Sequence, residues 1–131
     1  MFLGTITESL KESVLDLALL LVEANKGFYE SAPAIMDAFK NRLSITKEPK
    51  KRKLKDILES LSSADIIDKK KIMFEITCLA YTDGVYSDKE REIFKEITAA
   101  FKIDDDFVNR SIEIADDLNM LYYKANKLVT G

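Results

Sequence analysis

The stretch CLAYTDGVYSDKERE, residues 78–92, connects the end of one apolar segment to the start of another. Gly84 follows Asp83 there, and glycine readily takes the left-handed conformation that ends a helix. Ser87 and Glu90 have the spacing of a capping box. In that arrangement the serine oxygen accepts from the Glu90 amide, and the Glu90 carboxylate accepts from the Ser87 amide. The stretch therefore predicts a helix, a sharp corner and a second helix.

Helical periodicity extends outward from this corner along the whole chain. Apolar residues recur at intervals of three and four, which is the period of an amphipathic helix, and no stretch alternates as a strand would. The apolar stripes cover residues 10–21, 35–43, 54–61, 72–80, 93–101 and 108–125. We therefore predict an all-α, single-domain bundle of about six to seven helices. The last stripe predicts that Tyr122 lies at the edge of the core.

The two halves of the chain align when one is shifted by 58 residues without a gap. The shift places Asn25 on Asp83 and Ile45 on Ile103, with apolar residues matched between these points. We therefore predict a duplicated helix–corner–helix unit. Within the single domain 1–131, repeat 1 covers about 10–45, a basic linker 46–53, repeat 2 about 68–103 and a C-terminal helix 104–129.

Composition indicates one compact, helix-rich domain. The 131 residues are 47% apolar and 33% charged, and the net charge of −3 gives no overall attraction to nucleic acid or membranes. Acidic residues precede the short apolar run LALLLV, which argues against a signal peptide and against membrane insertion. We expect a cytoplasmic protein, because a single cysteine, Cys78, cannot form an internal disulfide.

The chain contains no histidine. Serine–histidine and cysteine–histidine catalysis are therefore excluded, and any bound metal would need oxygen ligands. No glycine-rich phosphate loop is present either. We predict that the protein is not an enzyme.

Two interpretations of the corner carboxylates remain open. Glu90 is explained by the capping box, but Asp83 at the end of a helix opposes the helix dipole and needs a donor. Alternatively, Asp83 and Glu90 converge and hold a hard cation, Ca²⁺ or Mg²⁺. The ligand pattern of an EF-hand loop is absent.

A basic segment gives a second candidate site, formed by Lys50, Lys51, Arg52, Lys53 and Lys55. It is either a solvated loop between helices or a contact for phosphate, nucleic acid or an acidic partner. No aromatic residues are interleaved with these charges, so nucleic acid is not the expected ligand.

The segment LAYTDGVYSDKEREIFKEI, residues 79–97, resembles the signature of TerB-like tellurite-resistance domains, which are also similar to the N-terminal domain of a DnaJ-like membrane co-chaperone. The matching residues are Ala80, Asp83, Gly84, Ser87, Glu90 and Ile93. The resemblance implies a duplicated all-α fold with an Asp-Gly corner in each half. Together with the lack of catalytic residues, it leads us to expect a non-enzymatic protein-interaction module of unknown pathway, connected with stress or tellurite resistance. We expect a protein partner or a homodimer, and a weak cation site at Asp83 and Glu90.

The first half departs from this pattern. Asn25 and Lys26 replace Asp-Gly, and Ala32 aligns with Glu90, so a metal site built from both corners is not expected. The alternatives to an interaction module are a metal-dependent enzyme or sensor that uses carboxylates alone, and binding of nucleic acid or an anionic surface through residues 50–55.

Overall fold

A computed structural model describes residues 1–25, 30–81 and 87–131. Over these residues the chain forms six α-helices, preceded by two short 3₁₀ turns, and no strand. The helices are α1 (Lys11–Ala24), α2 (Ala32–Leu43), α3 (Leu54–Leu61), α4 (Ile66–Ala80), α5 (Asp88–Phe101) and α6 (Asp105–Thr130). The predicted all-α bundle is confirmed. Predictions that concern Lys26, Asp83 and Gly84 lie outside the described residues.

Helix α1 lies at the centre and packs against α2, α3, α4 and α5. Its apolar residues point in nearly every direction, which is typical of a helix in the interior of a bundle. The apolar stripe predicted for residues 10–21 is buried, and so are residues on the other sides of α1. The buried apolar residues of α1 are Val14, Leu15, Leu17, Ala18, Leu21 and Val22.

Helices α2 and α5 end in the same way at positions 58 residues apart. Ser44 and Lys102 both have left-handed backbones, with φ of 60° and 55°. The amides of Ile45 and Ile103 then each bond to the carbonyl five residues earlier, at 3.2 and 3.0 Å, as in a Schellman ending. Burial matches as well, since Phe39, Leu43, Ile97 and Phe101 are all buried. The two helix endings are therefore equivalent in backbone geometry and burial, and the duplication itself stays a prediction.

Helix α6 begins on α4 and then leaves the core. Asp104 caps its first turn by accepting from the Phe107 amide at 3.0 Å, and Val108 and Ala115 are buried. Tyr122, however, is 71% exposed, so its predicted place at the core edge is wrong. The reason is length, because α4 ends at Ala80 while α6 continues to Thr130. Among the described residues, no helix is both long enough and apolar enough to cross a membrane.

Candidate functional site

The predicted capping box is present at the start of α5. The Glu90 amide donates to Ser87 Oγ at 3.2 Å, and Glu90 Oε1 accepts from the Ser87 amide at 3.1 Å. The Ser87 hydroxyl also donates to Glu90 Oε1 at 3.0 Å. Glu90 is completely buried. This carboxylate therefore helps to begin α5 and lies inside the fold.

Asn25 connects the corner of the first half to the capping box of the second. It follows the last residue of α1 in an extended conformation, and its side-chain amide donates to Glu90 Oε1 at 3.0 Å. Both side chains are buried. The repeat predicted that Asn25 is the counterpart of Asp83, but the contact with Glu90 was not predicted.

The geometry gives Glu90 Oε1 a structural role, since it accepts from three donors. Asp83 lies outside the described residues, so the proposed pairing of Asp83 with Glu90 stays a prediction. Within residues 1–25, 30–81 and 87–131, no group of three or more cysteine, aspartate and glutamate side chains is arranged to hold a metal ion.

The basic segment is fixed to α1 through Asp16. Arg52 Nη1 lies 3.1 Å from Asp16 Oδ2, and the Lys50 amide donates to Asp16 Oδ1 at 2.7 Å. Arg52 Nη2 also donates to Ser60 Oγ on α3. Arg52 therefore holds the segment against α1 and α3, a role that sequence reasoning missed. The available signal was Asp16 itself, a carboxylate inside an apolar helix.

Other lysines of this region face acidic residues of α1. Lys47 Nζ lies 2.8 Å from Glu12 Oε1, and Lys51 Nζ lies 3.7 Å from Glu23 Oε1. The hydrogen bond from Lys47 lowers the pKa of Glu12, and the same bond raises the pKa of Lys47. These acids reduce the positive field near the segment. Lys53 and Lys55 are exposed, and binding of an anionic ligand there stays a prediction.

A groove of about 520 Å³ lies between α2, α4 and α6, and Glu75 is one of the residues that line it. Glu75 is buried and accepts from Arg42 Nη2 and from the Phe2 amide, each at 2.7 Å. Cys78 lines the same groove, and burial raises the pKa of its thiol to about 11, with the Glu75 charge as a second cause. The thiolate is therefore scarce at neutral pH, which leaves Cys78 a poor nucleophile.

An apolar face covers one side of α6 and continues past the core. We call it the α6 face, and its members lie within one third of the helix circumference. Leu121 is 60% exposed and Leu128 85% exposed, whereas charged residues such as Lys124 and Lys127 lie on other sides. The α6 face consists of Ile114, Leu118, Leu121, Tyr122, Ala125, Leu128 and Val129.

A second groove, of about 590 Å³, borders the core end of this face. Its walls are largely apolar and come from α4, α6 and the N-terminal residues, with basic side chains at the rim. The apolar residues that line it are Met1, Phe2, Ile67, Phe74, Phe107 and Ile114.

Comparison of the chain with protein-family models, with curated proteins and with solved structures found no match. The resemblance to TerB-like domains therefore rests on the residues of the corner segment alone.

Proposed function

We propose that this protein is a non-enzymatic, TerB-like interaction module that binds an apolar helix of a protein partner through the α6 face. The observation that carries the proposal is the exposure of this face beyond the core, where Leu121 is 60% and Leu128 85% exposed. A helix whose apolar side is not packed against another element is only marginally stable in water, so a partner helix would stabilise this part of α6. Exposed apolar patches of this kind mark sites of protein interaction.

The chemistry of the remaining side chains supports a role without catalysis. The sequence has no histidine, and the raised pKa of Cys78 keeps its thiol protonated at neutral pH. The two most buried acidic side chains of the corner and groove, Glu90 and Glu75, accept hydrogen bonds from neighbouring groups. These residues stabilise the fold and leave the surface of α6 as the best candidate for function.

A matched pair of variants on α6 tests this proposal. Leu121→Glu places a charge on the α6 face, whereas Met120→Glu makes the same kind of change about 100° around the helix. Met120 is 54% exposed and Leu121 60% exposed, so both variants should fold. We expect affinity capture from native lysate to lose specific proteins with Leu121→Glu and to keep them with Met120→Glu. Capture of identical proteins by both variants and by the unaltered chain would overturn the proposal.

A weak divalent-cation site at Asp83 and Glu90 is the second candidate function, either alone or as part of a carboxylate-based enzyme or sensor. It rests on Asp83 and Glu90 of the second corner alone, since Asn25 stands in place of an aspartate in the first corner. Calcium or magnesium would find oxygen ligands there.

Thermal unfolding with and without Ca²⁺, Mg²⁺ or Mn²⁺ tests the cation site. Saturation at 100 times Kd would stabilise the protein by about 2.7 kcal/mol. The site predicts a higher Tm with one of these ions, and loss of that increase in Asp83→Asn. The hypothesis fails if no ion changes Tm, or if Asp83→Asn responds equally.

A further inference from the structure

Spacing along the α6 face points to a particular kind of partner. Ile114, Leu118, Leu121, Ala125 and Leu128 advance by four, three, four and three residues. That spacing forms the seam between helices of a left-handed coiled coil. We propose that the occupant of the α6 face is α6 of a second copy of this chain, bound in antiparallel orientation. This inference rests on the proposed function and names its partner.

Charges beside the seam select the antiparallel orientation. Asp117 and Lys124 are seven residues apart and occupy the same flanking position of the repeat. When Leu118 of one copy packs opposite Leu121 of the other in an antiparallel pair, Asp117 lies beside Lys124 of the second copy. By symmetry the pair forms two such contacts between opposite charges.

A parallel pair loses this complementarity. In a parallel pair, the residue just before one seam position contacts the residue just after the next seam position of the other copy. Asp117 would therefore face Tyr122 of the second copy, and Lys124 would face Val129. Neither contact pairs opposite charges, and both take a charged group against an apolar side chain. The antiparallel register is therefore favoured by charge as well as by the apolar layers.

The second groove lies where an antiparallel partner would end. In this register Leu128 of the second copy reaches Ser111 and Ile114, which both line that groove. Ile67, on the opposite wall, is 62% exposed and would be covered at the same time. The apolar surface of the groove thus continues the seam, and one helix of the second copy would cover both.

Disulfide trapping tests the orientation in the full-length chain, with Cys78→Ala as background. An antiparallel pair places residue 114 opposite residue 125 of the second copy and keeps the two copies of residue 125 about 16 Å apart. Since a disulfide needs Cα atoms within about 7 Å, Ile114→Cys mixed with Ala125→Cys should form a mixed dimer, and Ala125→Cys alone should not. Rapid cross-linking of Ala125→Cys with itself would contradict the antiparallel pair.

Sedimentation of the unaltered chain from about 1 µM to about 500 µM tests self-association and the role of charge. We expect a dimer that Asp117→Lys weakens about tenfold and that Asp117→Lys with Lys124→Asp restores. Asp116→Lys makes the same change of charge away from the seam and should leave association unchanged.

A monomer at all concentrations would overturn the inference. If Leu121→Glu still loses a different captured protein, the proposed function survives that result; if it loses none, both fail.

Discussion

The side chain of Asn25, at the end of α1, donates a hydrogen bond to Glu90, in the first turn of α5, across 65 residues of sequence. The two corners of the chain are therefore joined by a buried contact to a carboxylate. Asn25→Ala removes the donor and leaves the buried charge with one hydrogen bond fewer. We expect a loss of about 2 kcal/mol in the free energy of unfolding, measured by urea denaturation.

Asn119→Ala provides the matched control for this contact. The Asn119 amide also makes a long-range hydrogen bond, to the Tyr81 carbonyl at 3.2 Å, but in an exposed position and to a neutral acceptor. Its loss should cost about 0.5 kcal/mol. Equal losses in the free energy of unfolding for Asn25→Ala and Asn119→Ala would show that burial and charge at Glu90 do not strengthen its hydrogen bond with Asn25.

Arg52 should matter for stability more than the lysines beside it. Its guanidinium contacts the buried Asp16 and the hydroxyl of Ser60, so Arg52→Ala leaves Asp16 without that ion pair. We expect a loss of about 2 kcal/mol, incompletely recovered by Arg52→Lys because an ammonium group lacks the fork of donors. Lys53→Ala, at an exposed neighbour, should change stability by less than about 0.5 kcal/mol. A similar cost for both alanine variants would contradict the structural role of Arg52.

Glu12 should titrate below its ordinary pKa of 4.5, because Lys47 donates a hydrogen bond to its carboxylate. A lowered folded-state pKa means that this contribution to stability is present above about pH 4.5 and is lost as the pH falls through the folded-state pKa. Side-chain NMR titration should show the lowered pKa, and Lys47→Ala should return it towards 4.5. An unchanged pKa of Glu12 in that variant would refute the pairing, as would an ordinary pKa in the unaltered chain.

An apolar residue in the core and one at the exposed end of α6 should differ sharply in how much they contribute to stability. Leu17 is fully buried in α1, whereas Leu128 is 85% exposed on α6. Leu17→Ala should cost about 2–5 kcal/mol, because it opens a cavity in the core. Leu128→Ala should cost less than about 0.5 kcal/mol in dilute solution. A large loss for Leu128→Ala under those conditions would show that α6 folds back onto the core.

Local signals in the sequence predicted the helices and the capping box of α5. Ser87 and Glu90 form the capping box that their spacing indicates, because such a cap depends on residues three apart. The contact of Asn25 with Glu90 and the anchoring of Arg52 by Asp16 could not be predicted in this way, because each joins residues far apart in the chain. Both contacts depend on how α1 packs in the bundle.

Tyr122 shows a different limit of the apolar pattern. It continues the helical stripe of α6, but a stripe shows only which side of a helix is apolar and not what covers it. The extent of the core depends on where α4 ends, which is at Ala80. The same pattern that wrongly placed Tyr122 at the edge of the core is what identifies the α6 face as a candidate contact surface.

Amide hydrogen exchange in residues 120–130 tests the central claim, that the exposed α6 face is covered by a second copy. The measurement compares the unaltered chain at about 1 µM and about 500 µM, with residues 11–24 of the central helix as an internal reference. We predict that exchange in residues 120–130 slows at the higher concentration, while exchange in α1 changes far less. Fast exchange in residues 120–130 at both concentrations would contradict the claim.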